Sequence, residues 1–162
     1  MRLRPYTDAD RWLTEALETD PEVMRHLGGA APLARVPKVH ERRLAPGGGE
    51  WYRTIVSAPD DAPAGVVAVF RSEWGGAEIA ELGIMLLPGV RQRHGLAAGA
   101  VRLIVEEVRA AGSVPHIHAF IGLDNAAAGV VARRTGFVAA GPCDVDYEGV
   151  PIRCEHWVLD LR

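Results

Sequence analysis

The chain predicts an α/β domain on a mixed, mostly antiparallel sheet flanked by helices, and three observations carry that prediction. Residues 7–44 hold short segments of helical periodicity separated by Pro and Gly. From Trp51 the period shortens to that of strands, and three such runs joined by tight turns make an antiparallel meander. From Ala77 a strand, a long amphipathic helix and another strand follow, the order of a right-handed parallel crossover.

In order, Met1 to Tyr6 alternates, Leu3 inward and Arg2 and Arg4 outward, as a short strand ending at Pro5. Thr7 or Asp8 caps a helix to about Leu17, with Trp12, Leu13, Ala16 and Leu17 on one face. Asp20-Pro21-Glu22 is a second helix start: a capping Asp, Pro at the first position, an acidic first turn. That short helix carries Val23, Met24 and Leu27 and stops at Gly28-Gly29. Residues 37–44, with Lys38, His40, Glu41, Arg42 and Arg43, predict a solvated helix ended by Pro46-Gly47-Gly48-Gly49.

The meander strands are residues 50–57, 65–71 and 77–87, with turns at Ser57–Asp61 and Trp74-Gly75-Gly76. The helix that starts near Gly95 has Ala97, Ala100, Val101, Ile104, Val105 and Val108 at i, i+3, i+4, i+7, i+8 and i+11. Gly112 is its left-handed cap. Residues 116–121 then run as a strand parallel to 77–87. Asp124-Asn125 caps a second helix, 126–135, which Gly136 ends. A strand from Phe137 and a closing strand over 151–161 complete the sheet.

The 162 residues fit one domain spanning 1–162, with no internal repeat. A hydrophobic content of 48% against 24% charged residues is that of an ordinary globular chain. The net charge of −3 gives no case for nucleic acid as partner, so any anion site must be local. No apolar run reaches the roughly 18 residues of a membrane span, and MRLRPYTDADRW lacks the apolar core of a signal peptide. These features point to the cytoplasm, without a membrane partner. Cys143 and Cys154 are too few for a zinc site; they could meet across a C-terminal hairpin, where strand cysteines are ordinarily free.

The stretch from Glu81 to Gly112 organises the rest. A strand stops at Pro88, a basic loop follows, and a helix opens near Gly95. Backbone N–H groups and the positive dipole end of the helix offer an anion site there. Alone, the loop reads either as that site or as a polar turn with a helix cap. It is neither a P-loop nor a dinucleotide fingerprint, because both glycine signatures are absent.

Gln92-Arg93-His94-Gly95-Leu96-Ala97 fits the pattern Q/R-x-x-G-x-G/A and resembles the acyl-CoA loop of the GNAT acetyltransferase superfamily. Asn125-Ala126-Ala127-Ala128 through Arg133-Arg134-Thr135-Gly136-Phe137 resembles that family's following N-x-x-[A/S]…K/R-x-G-F segment. Asp20-Pro21…Met24-Arg25…Leu27-Gly28-Gly29 and Trp157-Val158-Leu159 are similar to the branch containing ribosomal-protein N-acetyltransferases.

The resemblance implies a GNAT-like domain whose strands splay where acetyl-CoA binds, with the acetyl group moved directly to an amine. Backbone N–H groups from Gln92, Arg93, His94, Gly95, Leu96 and Ala97 would hold the pyrophosphate. Met85, Leu86 and Leu87 would lie beside the acyl group, a backbone N–H there (Leu86) polarising the thioester carbonyl. Asn125, with Ala128 beside it, would meet the pantetheine arm. Arg93, Arg133 or Arg134 could pair with phosphates. Glu81 is the candidate base, sharing strand parity with Gly83, Met85 and Leu87; Glu78 has the opposite parity. Its other reading is a structural ion-pair partner.

Two departures bear on the proton for the leaving thiolate. Many relatives carry Tyr where this chain has Ala132, and the ribosomal-protein branch often has Ser at Ala128. Solvent, Tyr147 or Cys143 could supply the proton instead. A non-catalytic acyl-CoA sensor on the same fold is the rival reading. The acceptor is a protein N-terminus or a small amine, and the assembly leaves room for a homodimer.

No metal is expected: His116 and His118 share a strand face but lack a third ligand nearby. His94 could touch phosphate. Of Trp12, Trp51, Trp74 and Trp157, about one would be expected to line the acceptor side, the rest being core. Asp8, Glu22, Arg25, His26 and Glu41 are further candidates for reading the acceptor.

Overall fold

The computed structural model describes residues 1–91, 93 and 95–162. Runs rich in β-branched residues extend into β1 (Arg2–Pro5), β2 (Trp51–Ser57), β3 (Ala62–Trp74), β4 (Ala77–Leu86), β5 (His116–Gly122), β6 (Val138–Tyr147) and β7 (Val150–Asp160). The helices are α1 (Arg11–Glu18), α2 (Val36–Leu44), α3 (Leu96–Ala111) and α4 (Ala126–Arg134). The strands make one seven-stranded sheet in the order β1-β2-β3-β4-β5-β7-β6. Only β4 and β5 are parallel; every other neighbouring pair is antiparallel.

Period-two alternation sends side chains to two different cores. Ile55, Val67, Val69, Ile117, Trp157 and Leu159 meet the apolar stripe of α3, where Ala100, Val101, Ile104 and Val108 are buried. On the other face Tyr52, Val66 and Ala68 meet Tyr6, Leu13, Leu17 and Val23. Gly112 ends α3 at φ 65°, a left-handed position that costs glycine little. Asn125 caps α4 by accepting from the Ala128 N–H at 3.2 Å.

The second face is held by a buried polar network that periodicity did not foresee. Arg43 donates to Glu18 Oε1 at 2.7 Å and to Thr14 Oγ1 at 2.8 Å, and the two charged groups are almost fully buried. The Tyr6 hydroxyl lies 2.6 Å from Thr14 Oγ1 and 2.7 Å from His40 Nδ1. Asp10, 1% exposed, takes both guanidinium nitrogens of Arg4 at 2.7 Å, the Thr7 N–H and the Thr54 hydroxyl. Burial alone would raise the Asp10 carboxyl; these donors and the Arg4 charge hold it below the usual range.

Several expectations are corrected by this network. The buried side of α1 is Leu13, Thr14, Leu17 and Glu18, whereas Trp12 is 50% exposed, because Thr14 and Glu18 answer Arg43. For the same reason α2 is not simply a solvated helix: Val36, His40 and Arg43 are buried. Arg4 turns to Asp10 and is only partly exposed. The segment after Asp20 keeps its cap, with Asp20 Oδ1 accepting from the N–H groups of Glu22 and Val23, yet continues as turns instead of a regular helix. Independently of that network, the closing strand β7 lies between β5 and β6, and β3 extends well beyond the expected 65–71. Cys143 and Cys154 are register partners across β6 and β7 and are free thiols; burial, first of all, pushes Cys154 up to about 11.

Removing one member of a buried ion pair strands the other charge. Arg43→Ala should therefore cost about 3–5 kcal/mol in urea unfolding. The double variant Arg43→Met/Glu18→Leu should recover most of that loss, since it leaves no uncompensated charge.

Candidate active site

Two neighbouring strands stop pairing partway along, and the site opens there. β4 and β5 are in register only at Glu81 and His118. β4 stays paired with β3 to its end, and β5 stays paired with β7 from His116 to Gly122. Each strand follows its own half of the twisted sheet, and a gap opens between Leu82–Leu86 and 119–122. Residues of both stretches line a cleft of about 770 Å³ that passes from the α1–α2 face to the α3–α4 face.

Close backbone packing fixes the far end of β4. Gly65 faces Leu86 in the register, and a Cβ there would collide with the Met85 carbonyl and the Leu86 side chain. Leu87 donates its N–H to the Ala64 carbonyl at 2.9 Å. Alternation then turns the Leu86 N–H and carbonyl to the cleft edge, where the Arg91 Nε donates to the Leu86 carbonyl at 3.4 Å. Arg91 also donates to the Glu22 carbonyl, tying the loop after β4 to the turns after α1.

On the α3–α4 side, Ala97, Val101, Asn125, Ala128, Val131 and Ala132 line the cleft. Gly95, at φ 82°, precedes α3 in a conformation that ordinary side chains resist. Gln92 and His94 lie outside the described residues. Arg93 and Leu96 differ from the rest of the expected N–H cradle. Arg93 N–H is donated to Val90 and Leu96 N–H to Arg93 within the loop itself, and the Leu96 side chain is buried. The Arg93 guanidinium holds Ser57 Oγ at 3.1 Å. Arg133 stacks over Trp157, and neither it nor Arg134 borders the cleft among the described residues. Asn125 uses its carboxamide oxygen as the α4 cap, so its NH2 is what it can present to a ligand.

On the α1–α2 side, Glu81, Met85, Tyr52 and Phe70 line the cleft, while Leu87 packs into the core beside them. Burial raises the Glu81 carboxyl above the ordinary glutamate value, against a Ser72 hydrogen bond and the charge of Arg42, which favour the carboxylate. Glu78 is exposed and lies 3.7 Å from Arg71. His118 Nδ1 sits 2.9 Å from His156 Nε2, and burial lowers both imidazoles, favouring the neutral form of each. His156 stacks on Phe120, which borders the cleft. Among the described residues no group of three His, Cys, Asp or Glu could hold a metal ion, and no helix is long and apolar enough to cross a membrane.

None of the four Trp residues lines the cleft; Tyr52, Phe70 and Phe120, not foreseen from the sequence, do, together with Phe137 of the second motif and Tyr147, the expected alternative proton source. Trp74 packs against Phe120 and His156 instead. Tyr147 and Glu148 arrive at the tip of the β6–β7 hairpin, which an ion pair between Arg35 and Glu148 joins to the lead-in of α2. Cys143 does not border the cleft among the described residues, and of the acceptor candidates only Arg25 and His26 do. Asp8 is instead 3.0 Å from His40.

A model of the acetyltransferase (GNAT) domain matches residues 1–138. Spermidine N-acetyltransferase from Vibrio cholerae, in complex with CoA and spermine, is similar in structure with a TM-score of 0.80 at 13% identity, over 99% of this chain and 95% of that one. An acetyltransferase of the GNAT family from Bacillus anthracis gives 0.77 at 13% identity, over 98% and 93%. AAC(6')-Ib in complex with ribostamycin and coenzyme A gives 0.76 at 16%, over 98% and 92%. No curated protein sequence matches the chain.

The Glu81 environment is open to direct measurement. A carbon-detected NMR titration should place its carboxyl above the ordinary glutamate value. Ser72→Ala and Arg42→Gln should each raise it further, because each removes a group that favours the charged form.

Proposed function

The chain belongs to the GNAT acetyltransferase family, and from that premise we propose that it moves an acetyl group from acetyl-CoA directly to an amine. One observation carries the reading: the backbone edge of Leu82–Leu86 is left without a partner strand inside the sheet and opens on the cleft. An extended arm with two amides, as in pantetheine, has the donors and acceptors to complete such an edge. Gly95 and Ala97 at the start of α3 suit a pyrophosphate beyond it, through backbone N–H groups and the helix dipole.

In this reading the acceptor amine enters from the α1–α2 side. The amine reacts in its neutral form, and Glu81 takes the proton its nitrogen loses as it attacks the thioester carbon. The Leu86 N–H stabilises the negative oxygen that develops. The C–S bond breaks as the C–N bond forms, and CoA leaves as a thiolate that takes up a proton. Tyr147 puts a hydroxyl on the cleft wall as the candidate proton donor in place of Ala128 and Ala132, although burial raises its pKa and weakens it as an acid. A non-catalytic acyl-CoA sensor rests on the absence of a donor at those two positions.

Similarity to the ribosomal-protein branch favours a peptide N-terminus, whereas the structural neighbours named for spermidine and bound to ribostamycin suggest a small amine.

Calorimetry should register acetyl-CoA binding to the wild-type protein; an absence of heat at millimolar ligand would sink this assignment. Gly95→Asp should abolish the binding, since its carboxylate repels pyrophosphate, while circular dichroism stays that of a folded chain. With a working acceptor, Glu81→Gln should lower kcat about 10²–10⁴-fold and remove the acid limb of the pH profile. That limb should lie above the ordinary glutamate range, because the base is lost as pH falls through a raised pKa. Full activity of Glu81→Gln would assign the base elsewhere.

A further inference from the structure

Accepting the acyltransferase reading above, we infer that the acceptor is an amine carrying a carboxylate or phosphate, and that Lys38 and Arg42 of α2 bind that anionic group. From Arg35 into α2, Arg35, Lys38, Val39 and Arg42 fall at i, i+3, i+4 and i+7, which places them on one side of the helix, and all four line the cleft. The basic stripe is thus turned to the opening through which an acceptor enters, while Val36, His40 and Arg43 face the protein interior.

The carboxylates of the same region do not cancel it. Glu18 is bound by Arg43 at 2.7 Å. Its second oxygen is buried and has no partner among the described residues. Glu148 is paired with Arg35. Glu81 lines the same cleft, and burial raises its carboxyl above the ordinary glutamate value. Arg25, Lys38 and Arg42 remain, all exposed at the cleft. Arg42 is ion-paired with Glu50 at 3.5 Å, and Glu50 shares its charge with the Arg71 and Gly47 N–H groups, from which it also accepts. The Arg42 guanidinium lies over the Phe70 ring, 5.4 Å from its centroid, and its charge reaches both Tyr52 and Glu81.

The reacting nitrogen must approach Glu81 with its proton. A carboxylate or phosphate a few bonds away would then fall near Arg42 and Lys38, where charge-assisted hydrogen bonds hold it. A polycation would bring its further positive charges against the same side chains. Spermidine and aminoglycosides, the amines in the names of the structural neighbours, are therefore the wrong class for this cleft.

Release of CoA thiol, followed with acetyl-CoA and an amine panel at about pH 8, tests the inference. Aspartate, glutamate and O-phosphoethanolamine form the anionic arms, with benzylamine, spermidine and kanamycin as neutral and cationic arms. At least one anionic amine should exceed all the others in kcat/KM by about tenfold or more. The carboxylate and phosphate arms decide which anion is preferred. Lys38→Gln and Arg42→Gln should each raise its KM several-fold with a much smaller change in kcat, and the double charge reversal to Glu should turn the preference towards spermidine. Turnover of a neutral or cationic amine equal to or above that of every anionic one overturns the inference. So does acetyl-CoA binding with no turnover of any anionic amine. Failure of acetyl-CoA to bind at all would instead overturn the acyltransferase reading beneath it. Both side chains are exposed, so the variants should fold.

Discussion

The structure depends on a sheet that loses one of its ladders midway. A buried strand edge is costly because each N–H and carbonyl on it needs a partner. Here the single parallel contact at Glu81 and His118 ends the pairing of β4 with β5, and the edge beyond it faces a cleft instead of a strand. Both flanking ladders are complete, so the opening is not fraying of a weak sheet. Gly65 lets β3 approach Leu86 so closely that the end of β4 has little freedom to drift back and close the gap. An open edge held on a rigid frame is preorganised for a ligand that can act as a strand.

Charge is distributed with the same division. Deep in the α1–α2 layer the ions come in closed pairs, Arg4 with Asp10 and Arg43 with Glu18, each further bonded to hydroxyls. Those pairs fix the position of α2 relative to the sheet. At the cleft surface the balance is broken in favour of cations, and below it sit groups pressed towards neutrality: Glu81 raised, His118 and His156 lowered. A positive rim disfavours the protonated form of an approaching amine, and the neutral nitrogen is the form from which acyl transfer proceeds.

Much of this architecture was legible in the residues. The apolar stripe of α3, the Asn125 cap and the Gly112 end signal are local features, and local physics decides them. The strand–helix–strand order from Ala77 gave the parallel pair through handedness alone. Periodicity failed where polar residues were buried: His40 and Arg43 read as solvated and Thr14 and Glu18 were not placed, because the partners lie 25 to 34 residues apart in the chain. The placement of β7 inside the sheet was invisible for a related reason. Hairpin connectivity joins β6 to β7, and nothing in the sequence says which of the two takes the seat beside β5. Glu81, Met85, Leu86, Ala97, Asn125 and Ala128, named from motif and parity, line one cleft, and so does Tyr147, while the positions of Glu148 and Arg91 depended on where a hairpin tip and a loop come to rest.

The two halves of the cleft also differ in what they are made of. The donor half, as proposed, is backbone: the open edge of β4 and the start of α3, with Gly65 and Gly95 chosen for what the main chain must do. The acceptor half is side chain, carried on α2 and on the tip of a hairpin. Backbone groups survive almost any substitution that leaves the path intact, which is consistent with a fold shared at a TM-score of 0.80 and only 13% identity. Side chains on α2 can change without disturbing the edge or the loop. Selection for a new amine can therefore act on Lys38 and Arg42 while the donor half stays as it is, so acceptor preference has to be read from this chain's own charges and not from the fold.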